Sequence, residues 1–350
     1  MTPPVASTTV ERVDLPLQSV FTTARSSADT ATTLVVRLED EDGTVGTGAA
    51  APSEYYDERP ASVEGVLPDL LDVIDGADPA RLQAHEERFR EHAPGAAAAR
   101  AAVSTALHDL VASQAGEPLY RRLGLDPDRA PATSYTVAID SPAGMARQAR
   151  RVRQEGYPIL KIKLGTDDDR ARIDAVREAA PRARVRVDAN GAWTASEAIE
   201  KTAWLANAGV EFVEQPVPAD DVAGLERVAD ESTVPVAADE SCVTAADVPA
   251  VADAVDIVVV KLMKCGGIRP AIRQIETANA HGLDVMFGCM IESSASIAPA
   301  CHLAPLVEYA DLDGSLLCAE DPYTAVPIPD GRPELPAVEC GTGAEPSEDS

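Results

Sequence analysis

The sequence predicts an α/β chain. A (β/α)7β TIM-like barrel spans residues 131–320, an α+β domain precedes it over 1–130, and a segment over 321–350 follows it. Three observations carry this. The 350 residues exceed one small domain and suit a barrel with an appended domain. From about residue 133, short apolar runs alternate with helical stretches, a pattern that requires parallel strands joined by crossover helices. Polar residues near the ends of those runs recur at the length of one β/α unit.

In the N-terminal region, TLVVRLEDEDGTVGTGAA has a Glu-Asp-Gly turn signal in its middle and reads as a hairpin. Alanine-rich helical segments follow, including RAAVSTALHDLVASQ. The run LYRRLGLDPDRAP, with Gly and two prolines, reads as a linker. Eight apolar runs come next: SYTVAI, ILKIKL, VRVDAN, EFVEQP, VPVAADES, DIVVVKLM, DVMFGCMI and EYADLDG. Each of the first seven is followed by a helical stretch. Thr136, Lys161, Asp188, Glu214, Asp239, Lys261, Cys289 and Asp311 mark the runs at intervals of 25, 27, 26, 25, 22, 28 and 22 residues. The proline-rich tail, ending GTGAEPSEDS, is expected to return to the N-terminal domain and to finish in a disordered acidic end.

Composition excludes several functions. A net charge of −28 repels nucleic acid and anionic membranes, and 4% aromatic content leaves little for stacking on bases. No apolar run is long enough to span a membrane, and MTPPVASTTV lacks a basic-then-apolar signal. The six cysteines form no C-x-x-C pair and no zinc pattern, so a cytoplasmic protein with free thiols is expected. Of 30 basic residues only Lys161, Lys163, Lys201, Lys261 and Lys264 are lysines. So much acid with so little lysine points to a halophilic source; a GC-rich genome would explain the arginine but not the acid.

The chemistry is concentrated at the strand ends. Asp188, Glu214 and Asp239 close three consecutive runs, and neighbouring strands lie about 4.7–4.9 Å apart. Their mutual repulsion calls for a hard divalent cation with oxygen ligands, such as Mg²⁺. Lys161 and Lys163, two apart, share one face of their strand, and Lys261 lies beyond the acids on the sixth. Lysine, unlike arginine, becomes a base when burial and neighbouring cations draw its pKa towards ~7–8. A proton next to a carboxylate is weakly acidic, and a divalent cation stabilises the enediolate left by its removal. Bases on opposite faces would invert the centre.

The motifs Lys161-Ile-Lys163, Asp188-Ala-Asn190, Glu214-Gln215-Pro216, Asp239-Glu240-Ser241 and Lys261, in this order, resemble the muconate lactonizing subgroup of the enolase superfamily. The resemblance reaches the N-terminal domain through ALHDLVASQAGEPLYRRLG, which it makes a capping domain. Within the subgroup, Asp311-Leu312-Asp313-Gly314 and the flanking GCMIESS and LLCAEDP resemble dipeptide epimerases, the L-Ala-D/L-Glu epimerase family. The resemblance implies Lys163 and Lys261 as acid/base residues and Asp188, Glu214 and Asp239 as ligands of one Mg²⁺ per subunit. It also implies Lys161 on the substrate carboxylate, Thr136 and Cys289 lining the substrate, and Asp311 and Asp313 on its α-ammonium. A homo-oligomer is expected. The loops LQSVFTTARSSADT and SEYYDERP are candidates for reading the substrate side chain; Arg25 would pair with an acidic one or lie at the surface.

Two rival readings stand beside this one. Muconate cycloisomerase, o-succinylbenzoate synthase and N-acylamino-acid racemase share the scaffold, but their substrates lack the ammonium that Asp311 and Asp313 would hold. A non-catalytic metal-binding protein would not need Lys163 and Lys261.

Overall fold

The computed structural model describes residues 2–347. The N-terminal domain opens with an antiparallel sheet of β1 (Val5–Thr22), β2 (Ser27–Asp40) and β3 (Val45–Ala50). β2 and β3 form the expected hairpin, its turn fixed by the Asp40 carboxylate accepting the N–H groups of Asp42 and Thr44 at 2.9 and 2.8 Å. The sequence reading missed β1, and it took residues 17–30 for a loop. They are instead the far end of the β1–β2 ribbon, with Thr23–Ser26 at its tip. Polar residues dominate that end because it projects beyond the core, so alternation gives no signal.

Helices α1 (Pro60–Asp72), α2 (Leu82–His92), α3 (Ala97–Gln114) and α4 (Leu119–Arg122) complete the domain. Ala98, Ala99, Ala101, Ala102 and Ala106 of α3 are fully buried. A Cβ at Gly46 or Gly48 would strike the α3 backbone at Ala106 or Ala102, so glycine on the strand and alanine on the helix together permit their close approach.

The barrel strands are β4 (Tyr135–Val137), β5 (Ile159–Lys163), β6 (Arg184–Asp188), β7 (Val210–Glu214), β8 (Val236–Ala238), β9 (Ile257–Val260), β10 (Asp284–Gly288) and β11 (Tyr309–Asp311). They pair in parallel and in chain order. A bridge between Thr133 and Ala310, with Ser134 N–H donating to Ala310 O at 3.1 Å, joins the two ends. The crossovers are α5 (Pro142–Gln154), α6 (Asp169–Ala179), α7 (Ala195–Asn207), α8 (Val222–Glu231), α9 (Val248–Val251), α10 (Leu262–Cys265), α11 (Ile268–Ala280) and α12 (Ser294–Leu303). Several starts are written in the sequence: Ser141, Asp221 and Ser293 cap α5, α8 and α12, and Thr194 with Glu197 forms a capping box on α7. Below the strand tips, buried Arg186 lies across Phe212 and Tyr309 and donates to Ala310 O at 2.8 Å, filling the interior at the seam.

The tail returns to the N-terminal domain. Leu119 N–H donates to Gly341 O at 2.7 Å, and the buried Asp109 carboxylate of α3 accepts Thr342 N–H at 2.5 Å. Residues 341–347, read from the sequence as part of a disordered end, are instead packed and paired, with β13 (Glu345–Pro346) against β12 (Tyr323–Thr324). The reason is that Gly341 pairs with the backbone of Glu117 and Leu119, and Thr342 joins Thr47 in satisfying the buried Asp109 carboxylate. The last three residues of that expected end lie outside the described residues. Among the described residues no helix is long and apolar enough to cross a membrane, and the six cysteines are unpaired.

Candidate active site

The strands deliver their acids to one rim. Lys163, Asp188 and Glu214 stand side by side in register at the ends of β5, β6 and β7. Asp239 and Lys261 immediately follow β8 and β9, Cys289 follows β10, and Asp311 ends β11. All of these except half-buried Cys289 are buried, which is costly for charged groups unless they pair.

They do pair. Lys161 Nζ donates to Glu214 Oε1 at 2.9 Å and Asp311 Oδ2 at 2.8 Å, and lies 3.2 Å from Asp188 Oδ2. Lys163 Nζ contacts Asp188 Oδ2 at 2.6 Å and Asn190 Oδ1 at 3.3 Å. Lys261 Nζ contacts Asp239 Oδ2 at 2.7 Å. Lys163 and Lys261 therefore flank the acids from β5 and β9, with three strands between them. Asp311 is also held by Ser134 Oγ at 2.5 Å, whereas Asp313 accepts the Thr136 N–H at 2.5 Å and makes no ion pair among the described residues.

A cavity of about 730 Å³ opens above this rim. Thr136, Lys161, Lys163, Lys261, Cys289, Asp311 and Asp313 line its floor, and Phe21, Tyr55, Tyr56 and Arg25 of the N-terminal domain line its roof. Arg25 is no free guanidinium: Nη2 donates to Glu240 Oε1 at 2.5 Å, and the group lies 4.1 Å from the Tyr55 ring centroid. A second cavity of about 600 Å³ lies between α2, α3 and α11, remote from these groups.

Sequence reasoning gave no role to four residues that the structure brings in. Lys264 is buried and its Nζ donates to Asp239 O and Oδ1, both at 2.6 Å, to Val259 O at 2.8 Å and to Cys242 O at 3.0 Å. Four of the five lysines thus enter the site, and lysine scarcity was the signal that could have found the fourth. Gln215, in the left-handed region at φ 39°, accepts the N–H groups of Asp239 and Ser241 at 3.0 and 3.1 Å and so ties β7 to β8. Asn190 and Glu240, present in the quoted motifs, join Lys163 to the roof.

The electrostatics show where positive charge is short. Burial and then the Asp188 charge push Glu214 up to about 8, and burial with Asp311 pushes Asp313 up to about 7. Burial would also raise Asp311, but Lys161 more than offsets it and the net lies below the usual range. The sequence reading expected lowered lysine pKa values. Burial does act that way on Lys161 and Lys261, but the adjoining carboxylates outweigh it and both lie above the ordinary ammonium value.

Does a divalent cation fit these acids? Among the described residues no three His, Cys, Asp or Glu groups are gathered as a ready metal cluster; each acid of the trio is met by a lysine instead. The donor set is nevertheless all hard carboxylate oxygen, the kind Mg²⁺ takes. Glu214 Oε2 is buried with no hydrogen bond, although Lys161 Nζ lies 2.8 Å away. A carboxyl pushed up by its neighbours, whose nearest cation Lys161 is shared with Asp188 and Asp311, is one that a divalent cation would satisfy, so the residues fit the group.

Fold and site together define a capped β/α-barrel protein with its chemistry at the strand tips. Residues 5–124 match the mandelate racemase / muconate lactonizing enzyme N-terminal domain, and residues 144–350 match the enolase C-terminal domain-like family; the chain belongs to this family of two-domain proteins. The L-Ala-D/L-amino acid epimerase of Pedosphaera parvula is 40% identical over 328 residues, 89% of this chain and 91% of the relative. A dipeptide epimerase from Enterococcus faecalis, solved with Mg and L-Leu-L-Tyr, superposes with a TM-score of 0.93 at 32% identity, covering 98% of this chain and 99% of that one. Another from Methylococcus capsulatus, solved with Mg and L-Arg-D-Lys, gives 0.89 at 35% identity, over 97% and 99%.

Proposed function

We propose that this chain is a Mg²⁺-dependent dipeptide epimerase that inverts the α-carbon of the C-terminal residue. One observation carries the reading: buried Asp313, with no ion pair among the described residues, stands beside Asp311 on a cavity walled by Lys163 on one side and Lys261 on the other. The α-ammonium of a dipeptide supplies the positive charge that Asp313 lacks. Lys161 steadies the substrate carboxylate, and Thr136 and Cys289 shape the wall beside it. One of Lys163 and Lys261 takes the α-proton and the other returns one to the opposite face; their roles exchange with the epimer supplied. Asp188, Glu214 and Asp239 would hold Mg²⁺, which would supply charge stabilisation for the enediolate. Six unpaired thiols support a reducing, cytoplasmic setting.

Incubating the protein with L,L-dipeptides in D₂O and following α-deuterium by NMR tests the reading; absence of uptake from every dipeptide in a broad panel overturns it. Asp313→Asn is expected to lower kcat/KM on dipeptides by about 10- to 100-fold, the size of a lost charge-assisted hydrogen bond. Its effect on N-acylated amino acids should be small. Equal losses on both would favour a racemase of N-acylated substrates.

The −28 charge also makes a salt prediction. Its self-repulsion is screened to within ~3 Å at 1 M salt, so the thermal unfolding midpoint should climb from ~0.1 M KCl to molar KCl. A flat or falling midpoint would argue against a halophilic source.

A further inference from the structure

A chain of contacts runs from the roof of the cavity to one of the two lysines. Arg25 stands at the tip of the β1–β2 ribbon, and its Nη2 reaches Glu240 Oε1 at 2.5 Å. The same Glu240 oxygen accepts Asn190 Nδ2 at 3.3 Å, and Asn190 Oδ1 accepts Lys163 Nζ at 3.3 Å. Lys261 joins no such chain of hydrogen bonds among the described residues: its Nζ donates to Asp239 Oδ2, and Glu240 reaches it only through its charge.

The middle of this chain is built with care. Asn190 sits in the left-handed region at φ 47°, which Asn tolerates better than most side chains, and Gly191 follows at φ 73°. The Asn190 N–H donates to Asp188 Oδ1 at 2.8 Å and the Gly191 N–H to Gln215 O at 2.7 Å, so the backbone is pinned on both sides. Its short amide is thereby aimed with one end at Lys163 and the other at Glu240. Glu240 is 5% exposed, and its Oε2 is buried with no partner. A carboxylate that is half unsatisfied is costly to bury and is held in place by Arg25 and Asn190.

We propose that Asn190 and Glu240 are positioning residues for Lys163 alone, and that Arg25 links them to the N-terminal ribbon, so that seating of the ribbon over the cavity sets the aim of one base but not the other. The two faces of the α-carbon are then served by unequal machinery: one lysine fixed within the barrel, the other adjusted from the capping domain. This rests on the epimerase reading above. It goes beyond it in assigning the ribbon to one stereochemical half of the reaction.

The test places Asn190→Gly and Glu240→Gln separately in two single-base backgrounds, Lys261→Ala and Lys163→Ala. Glycine keeps the left-handed backbone of position 190 while removing the amide, and glutamine keeps the shape of Glu240. Each is assayed by α-proton exchange in D₂O with Mg²⁺ saturating. With Lys163 as the remaining base, each substitution should slow exchange by roughly 10- to 100-fold, the cost of a misplaced reacting group. With Lys261 remaining, Asn190→Gly should leave exchange within about twofold of its parent. Arg25→Gln should fall on the same side. Equal losses in both backgrounds would show action through the metal site or the fold and overturn the proposal. A second readout needs no turnover: reductive methylation followed by peptide mass spectrometry reports both amines in one sample. A changed labelling rate at Lys163 alone in Asn190→Gly supports the assignment; change at both lysines or at neither overturns it. If the unmutated protein exchanges no dipeptide, the epimerase reading fails while the labelling still decides the positioning.

Discussion

Lys163→Ala and Lys261→Ala are each expected to abolish net epimerisation of a dipeptide, with losses of ~10²- to 10⁴-fold, the usual worth of a positioned acid or base. The geometry makes the two losses different in kind. Lys163 rises from the end of β5 and Lys261 from the residue after β9, with the three acid-bearing strands between them. A substrate held over those acids meets one amine on each side. Each variant retains one amine, which can still take the α-proton of the epimer facing it and give back deuterium from solvent without inversion. NMR in D₂O should therefore show exchange of one epimer by Lys163→Ala and of the opposite epimer by Lys261→Ala. If both variants exchange the same epimer, or either racemises at the parental rate, the reaction does not use two opposed bases.

Removal of the divalent cation should have an effect at least as large. After EDTA treatment and desalting, activity should vanish, and millimolar Mg²⁺ should restore it; full activity in verified metal-free protein would refute the assignment. The physical ground is the charge imbalance at Glu214, whose carboxyl is pushed up to about 8 by burial and Asp188 and which shares Lys161 with Asp188 and Asp311. Binding has a second signature: a cation that binds only the folded state raises its stability, by about 2.7 kcal/mol at a hundredfold excess over Kd. Adding Mg²⁺ to metal-free protein should raise the unfolding midpoint, and Glu214→Gln should blunt the rise. A midpoint that ignores Mg²⁺ would separate loss of the cation site from mere loss of catalysis.

The parts of this site that the sequence made legible share a cause. Asp188 and Glu214 end parallel strands that also carry Arg184, Arg186 and Glu211, and it is the β/α repeat that marks them, because it places strand-end residues on one rim regardless of detail. What stayed hidden depends on contacts that no local pattern encodes. Lys264 lies on the four-residue α10 and looks from the sequence like a helix-surface lysine, yet its ammonium is enclosed by Asp239, Cys242 and Val259. Arg25 and Glu240 meet across 215 residues, and their pairing changes what Arg25 is free to do. The lowered lysine pKa inferred from clustering failed for Lys261 because the clustering brought Asp239 closer than any cation. Strand β1 escaped notice because only Val5, Val13 and Leu15 along its length are buried, too few to give a sustained alternation.

The enclosure of the lysines has a consequence for how the molecule meets reactive chemistry. Lys161, Lys163, Lys261 and Lys264 are buried, and Lys201 has 23% of its side chain exposed, paired with Asp169 at 2.9 Å and set over the Trp193 ring. The outer surface is rich in guanidinium and carboxylate but offers scarcely a lysine amine. Acylating metabolites, aldehydes, sugars and amine-directed cross-linkers that decorate ordinary proteins find almost no lysine handle on the exterior. Apart from those at Lys201, whatever lysine adducts do form report on the state of the catalytic cavity, and an immobilised or fluorescently tagged form is better attached through exposed Cys340.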